Sequence, residues 1–300
     1  MNLRELEYLV ALADERHFHK AAARCFVSQP TLSGQLKKLE QELGVVLVER
    51  NNRQVNMTAA GLKIAQQARE VLAGVRQIRE MANAFEEPMS GELHLGIIPT
   101  LAPYLLPLII PALNKRFTKL RFWLYEYQTA TLVQKLCQAD LDLLLLALPV
   151  EARGCSQIQL FREPFRLAVR KDHGLVKNKS VTLADIRGRP MLLLEEGHCL
   201  RGQVLDVCSR AKATVQSHFQ ATSLETLRHM VAEGMGMTLI PELAVPSRSA
   251  RREQVRYLEF SDPKPARRIG LLYRKGSYRE PCFAAIAEAV QAVLPVGVFF

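Results

Sequence analysis

Three hundred residues, 48% of them hydrophobic, exceed the usual size of one compact domain and can bury two or three ordinary cores, which excludes long disorder and any need for metal or disulfide staples. The formal charge of +10 favours polyanionic or acidic partners, yet residues 1–90 hold 12 Lys or Arg against 11 Asp or Glu, so the excess lies outside that segment. The start of the chain lacks a secretory signal and its richest later run, LDLLLLALPV at 141–150, is too short to span a bilayer, so a cytoplasmic protein with no membrane partner is expected.

In chain order, Leu3, Leu6, Leu9, Val10 and Leu12 have helical spacing and form one apolar stripe. A second helix is expected from about Phe18 to Cys25, where Ala21, Ala22 and Ala23 permit close helix contact. Ser28 can cap a third helix, with Pro30 in its first turn, where the missing N–H costs nothing. Leu32, Leu36 and Leu39 commit one face of that helix to a core. Its other face carries Gln29, Thr31, Ser33, Gln35 and Lys37, short hydrogen-bonding groups and a cation suited to bases and phosphates. Two short helices around a tight turn, the second of them polar, make a unit that can put one helix into a DNA major groove.

VLVER and QVNMT around NNR then read as a two-stranded wing, on which Arg50 and Arg53 are the leading phosphate contacts; the alternative is that both are ordinary surface arginines. A long helix is expected from Thr58 to about Phe85, with Ala59, Leu62, Ala65, Ala68, Leu72, Val75 and Ile78 in one stripe. Such a stripe needs a partner. The same helix of a second subunit would supply one and would place two reading helices on adjacent half-sites; packing on the downstream residues is the alternative. EEPMSG, Glu86 to Gly91, reads as a linker.

From Gly91 the period changes. GELHLGIIP and LRFWLYEYQ alternate like strands around a helix at about 105–117, and LVQKLCQADLDLLLLAL adds a helix and a buried strand. A second unit is expected from near Phe165 (FRLAVRKDH), through the Met191–Leu194 strand and TSLETLRHMVAEGMGMTLIP, to near Phe260. IGLLYRKG and a final helix, Tyr278 to Leu294, return to the first unit. Strand–helix alternation of this kind argues for a parallel or mixed α/β sheet in two lobes with a cleft between them. Thr100, Thr129 and Ser223 each sit where a helix N-terminus can begin, and capping is their expected local role.

Six cysteines (25, 137, 155, 199, 208 and 282) are thiols by default in a reducing compartment. Cys199 and Cys208 stand nine positions apart in LLLEEGHCLRGQVLDVCSR, the wrong spacing for a CxxC turn, and no further Cys or His cluster completes a metal site. His198, Arg201 and a local helix start favour a thiolate at Cys199, whereas Glu195 and Glu196 oppose it. Two readings stand on the residues alone: buried inert thiols, or a Cys199 that is oxidised and captured by Cys208 if the segment rearranges.

GELHLGIIPT, GHCLRxQ with Cys208, and SLETLRHMVAEGMG, together with the helix-turn-helix, make the chain resemble the LysR-type transcriptional regulators over essentially its whole length, and within them the peroxide-sensing members. The resemblance implies an α/β fold class with an N-terminal winged helix-turn-helix over 1–58, a dimerisation helix and hinge over 59–90, and a regulatory domain over 91–300. That domain would resemble periplasmic binding proteins, with lobe 1 at about 91–162 and 267–300 and lobe 2 at about 163–266. It implies further that Cys199 reacts with hydrogen peroxide and Cys208 closes a reversible disulfide, with Thr100, Thr129, His198 and Arg267 around the peroxide.

The implied partners are double-stranded promoter DNA read by Ser28, Gln29, Pro30, Thr31, Ser33, Gln35, Lys37, Arg50 and Arg53, RNA polymerase, a homotetramer, and a cellular thiol reductant such as glutaredoxin or glutathione. No cofactor and no metal are implied, and the chain would be a regulator and not an enzyme. Gly202 departs from the acidic residue of the peroxide-sensing pattern, and the basic tract Pro263 to Arg268 is shifted by one position; a glycine there loosens the segment between the cysteines. A regulator of the same family controlled by a small organic effector in the cleft, with both cysteines silent, is the alternative.

Overall fold

The computed structural model describes residues 1–51, 54–84, 89–246 and 254–295. The chain divides into two compact units, one mainly of residues 1–86 and one mainly of residues 87–300. Among the described residues no helix is long and apolar enough to cross a membrane.

The first unit opens with α1 (Leu3–Glu15), capped by Asn2, whose side chain accepts from the Glu5 N–H while Glu5 reaches back to the Asn2 N–H. Helix α2 (Phe18–Arg24) and α3 (Gln29–Leu43) follow, then β1 (Val48–Asn51) and β2 (Gln54–Met57), an antiparallel pair with Val48 opposite Met57. Leu9, Leu12, Ala21, Ala22, Leu32, Leu36, Leu39 and Leu47 are buried together, so the expected apolar faces of the three helices meet in one core. Glu40 ties the wing to α3, its carboxylate accepting from the N–H groups of Leu47 (2.8 Å) and Val48 (3.1 Å).

Helix α4 (Ala59–Ala84) is capped by Thr58, whose Oγ1 accepts from the Gly61 N–H at 2.9 Å. Of the expected stripe, Ala65 and Ala68 are buried, Leu72 and Val75 half-buried, and Leu62 and Ile78 exposed. Ala59 is exposed as well, so the stripe is covered in its middle and open towards both ends. Of the expected linker, Glu86 to Pro88 lie outside the described residues.

The second unit is a seven-stranded mixed sheet. Its strands are β3 (Gly91–Ile97), β4 (Leu120–Glu126), β5 (Leu143–Leu148), β6 (Cys155–Arg170), β9 (Thr238–Pro241), β10 (Val255–Glu259) and β11 (Ala266–Arg274). The order is β10-β6-β11-β5-β3-β4, with β9 also on β6. Strands β3, β4 and β5 are mutually parallel, while β11 runs antiparallel to both β5 and β6. A separate parallel pair joins β7 (Pro190–Leu194) to β8 (Thr214–Ala221).

Two buried clusters lie along this framework. One gathers β3, β5 and β11 with α5 (Ala102–Arg116), α6 (Thr129–Cys137) and α9 (Glu280–Gln291). The other runs from Phe165 to Phe260 and includes α7 (Cys199–Ala211) and α8 (Leu224–Ala232). The sixteen-residue β6 serves both: Leu160 and Phe161 belong to the first cluster, Phe165, Leu167, Ala168 and Val169 to the second. The strand starts ten residues before Phe165, where the sequence places the start of the second unit; its first part is masked in the sequence because IQLFREP mixes charges into the alternation where the strand lies against β11.

Candidate functional site

Helix α3 presents the residues expected to meet DNA. Ser28, Gln29, Pro30, Thr31 and Lys37 are exposed and Ser33 and Gln35 half-buried, opposite the buried Leu32, Leu36 and Leu39. The Ser28 Oγ accepts from the Thr31 N–H at 3.3 Å and pairs with the Thr31 hydroxyl at 2.7 Å, so both hydroxyls also hold the helix start. Gly44 ends the helix in the left-handed conformation, φ +69°. Arg50 lies on β1, while Arg53 lies outside the described residues.

In the second unit, the loop after β3 and the turn before α6 come together with the turn into α7. Ile98, Pro99, Thr100, Gln128, Thr129, Gly197, His198 and Cys199 line a tight recess that leaves no room for a water-sized sphere. It is far tighter than the roughly 300–1,000 Å³ pockets that hold drug-sized ligands. A glycine suits this turn because Gly197 has φ +94°, a conformation that L side chains rarely adopt.

Cys199 is half-buried and is the first residue of α7, at the positive end of the helix dipole. His198, buried, occupies the N-cap position without a side-chain capping bond, its Nε2 3.8 Å from a Glu195 carboxylate oxygen. Arg201 donates to the Leu194 carbonyl at 2.8 Å, which anchors its guanidinium on β7.

The expected capping by Thr100 and Thr129 is corrected. Thr100 sits in the turn before α5 and its Oγ1 accepts from Arg267 Nη1 at 3.0 Å, whereas the N-cap position falls on Leu101, which makes no side-chain capping bond. Thr129 is the first residue of α6, and its buried Oγ1 has no hydrogen-bond partner. Only Ser223 caps, accepting from the Thr226 N–H at 3.2 Å.

Arg267 is not among the residues lining the recess. It is fully buried on β11 and acts one step behind, donating to both the hydroxyl and the carbonyl of Thr100 (3.0 and 3.1 Å) and to Glu163 (2.8 Å). Sequence reasoning missed Glu163 and Gln128. A signal for Glu163 was present: Phe161 and Phe165 flank it at spacing two, which puts a carboxylate on the apolar face of a strand.

Cys208 lies near the far end of α7, buried, and desolvation pushes its thiol up to about 11. Nine residues of helix separate the two sulfur-bearing positions by about 13.5 Å along the axis and half a turn around it, whereas a disulfide needs Cα atoms about 4.4–6.8 Å apart. All six cysteines are free thiols. Among the described residues, no three His, Cys, Asp or Glu side chains are grouped to hold a metal ion.

Residues 3–62 match the bacterial regulatory helix-turn-helix protein, lysR family, and residues 86–295 match the LysR substrate binding domain. The chain belongs to the LysR family. LysR-family proteins are DNA-binding transcriptional regulators and not enzymes, and this member is closely related to OxyR. It is 51% identical over 292 residues to the DNA-binding transcriptional dual regulator OxyR of Escherichia coli K12, covering 97% of this chain and 95% of that protein. A full-length OxyR variant from Pseudomonas aeruginosa has a TM-score of 0.77 at 37% identity, over 98% of this chain and 99% of that one. A cysteine variant of Corynebacterium glutamicum OxyR with hydrogen peroxide bound has a TM-score of 0.67 at 34% identity, over 97% and 92%.

Proposed function

We propose that this LysR-family regulator senses hydrogen peroxide through Cys199 and is switched by a reversible Cys199–Cys208 disulfide. The observation that carries the reading is Cys199 at the head of α7, on a narrow recess shared with Thr100, Thr129 and His198, with Cys208 farther along the same helix. The Cys199 thiolate attacks one peroxide oxygen, the O–O bond breaks, and the sulfur becomes a sulfenic acid while the other oxygen leaves as hydroxide. Thr100 and Thr129 hydroxyls orient the peroxide and stabilise the leaving oxygen. The Cys208 thiol then displaces the sulfenic oxygen as water and forms the disulfide.

That second step requires α7 to unwind, because its helical geometry keeps the cysteines apart. Unwinding is the conformational change that oxidation drives. Residues 1–58 are assigned to DNA binding, with Ser28, Gln29, Pro30, Thr31, Ser33, Gln35, Lys37, Arg50 and Arg53 on promoter DNA, residues 59–90 to dimerisation and hinge, and residues 91–300 to sensing. In this reading the chain works as a homotetramer, a dimer of dimers, which engages RNA polymerase. A thiol reductant of the glutaredoxin or glutathione kind resets it.

The test is to treat reduced protein with about one equivalent of hydrogen peroxide and map its thiols by non-reducing peptide mass spectrometry. A rapid Cys199–Cys208 disulfide, with a redox-dependent DNA footprint, is expected. Two persistently free thiols in folded protein would overturn the reading in favour of an effector-binding regulator.

A further inference from the structure

We infer that Glu163 is a positioning residue for the peroxide reaction, setting the direction in which the Thr100 hydroxyl donates. The inference rests on the peroxide-sensing reading above. Glu163 and Arg267 face one another across the antiparallel β6–β11 pair, and both side chains are completely buried. One Glu163 oxygen accepts from Arg267 Nε at 2.8 Å; the other accepts from the Leu243 N–H at 2.9 Å, on the segment following β9. The carboxylate is therefore held from two sides and fixes the guanidinium plane.

The consequence falls on Thr100. A guanidinium has donors only, so Thr100 Oγ1 and the Thr100 carbonyl must both be acceptors from Arg267, at 3.0 and 3.1 Å. With Oγ1 accepting from Arg267, its own hydrogen remains free to donate, and Thr100 lines the recess beside Cys199. The neighbouring Thr129 Oγ1, buried without a partner, is a second hydroxyl in the same recess. When the Cys199 sulfur takes one peroxide oxygen and the O–O electron pair leaves with the other as hydroxide, that departing oxygen needs donors. Glu163 supplies none itself. It keeps Arg267 where Thr100 is polarised to provide one, and it compensates a cation that would otherwise be buried alone.

The experiment compares Glu163→Gln, Thr100→Val and the double variant in the full chain, measuring the second-order rate of Cys199 oxidation by hydrogen peroxide and the rate of Cys199 alkylation by iodoacetamide. Glu163→Gln keeps the shape but faces Arg267 with a neutral amide. Peroxide oxidation is expected to slow tenfold or more while alkylation stays within twofold, and the double variant to be no slower than Thr100→Val alone. An unchanged peroxide rate, a parallel fall in alkylation, or additive losses would each overturn the inference. Glu163→Asp keeps the buried charge and carries the test if Glu163→Gln does not fold: a several-fold selective slowing is expected, and a wild-type rate overturns it. Wild-type protein that peroxide does not oxidise would instead sink the sensing reading itself.

Discussion

The two helices that carry the proposed functions, α3 for DNA and α7 for peroxide, are similar in length, fifteen and thirteen residues, but are finished differently at their ends. Helix α3 has Ser28 capping its start, Pro30 in its first turn and Gly44 in the left-handed position at its close. Helix α7 starts at His198 with no side-chain capping bond and closes on Lys212 at φ +52°; the two helices are alike in carrying one interior glycine each, Gly34 and Gly202, and no acidic residue in the first turn. A non-glycine residue in that conformation costs about 1 kcal/mol, and an interior glycine costs about 1 kcal/mol relative to alanine. The difference lies at the ends: α3 is closed by a side-chain cap and a glycine, whereas the element that must unwind for a disulfide to close has neither and is held mainly by the burial of Leu200, Val204, Val207, Cys208 and Ala211. Local weakness is placed where the switch needs it.

The sharpest way to break this contrast is Cys199→Ser. It is expected to abolish the peroxide-induced change in DNA footprint entirely, leaving Cys208 as a free thiol in peptide mapping, because a buried thiol at the far end of an intact α7 has no route to oxidation of its own. A Cys199→Ser protein whose footprint still responds to peroxide would mean that α7 is not the switch.

A second effect is set by pH. Burial raises the Cys208 thiol from 9.0 to about 11, so the folded state holds the proton more tightly than the unfolded state. That contribution to stability is fully present below pH 9 and is lost as the pH rises through about 11, on the order of 2–3 kcal/mol for a two-unit shift. Cys282, buried in the other core, is raised to about 11 as well and adds to the total slope. Urea unfolding of wild type and Cys208→Ala at pH 8, 9, 10 and 11 separates them: the variant is expected to lose less stability across that window. Equal slopes would show that Cys208 is hydrated, and with it the interior face of α7.

The reading helix gives a smaller and purely local effect. Ser28→Ala removes the acceptor for the Thr31 N–H and is expected to cost about 1 kcal/mol of DNA-binding-unit stability, seen as a lower urea midpoint and weaker DNA binding. The rate of Cys199 oxidation should not change. A parallel loss of oxidation rate would show that the two elements are energetically coupled.

The unequal legibility of the two regions follows from how each is built. Around α3, function and fold use neighbouring residues: Ser28, Pro30 and the Leu32–Leu36–Leu39 stripe are all within one helix, so spacing alone placed cap, core face and reading face. The recess draws on Thr100, Thr129 and Cys199, brought together by the sheet, and no local pattern announces that convergence. Resemblance supplied those names together with Arg267, which donates to the Thr100 hydroxyl. Glu163 was harder still, because its partner is 104 positions away and the first half of β6 does not read as a strand. Likewise, α7 reads as a helix start at Cys199, but only its actual length shows that the two cysteines begin on opposite faces.

Gly202 offers the finest test of whether α7 unwinds. A Cβ built there meets nothing within 4 Å, so Gly202→Ala changes the backbone preference of α7 without crowding its surroundings. The substitution is expected to stabilise the helix by about 1 kcal/mol. If α7 must unwind before Cys208 can reach the Cys199 sulfenic acid, that stabilisation should slow disulfide closure by up to about fivefold. The first step, attack on peroxide, occurs with the helix intact and should keep its wild-type rate. Rapid-quench labelling with dimedone would then show a longer-lived sulfenic acid at Cys199 with an unchanged rate of appearance. Unaltered closure would mean that α7 opens from its Lys212 end, where Gly202 has no influence, and Lys212→Gly, which relieves the left-handed closing residue, would then be the substitution that slows it.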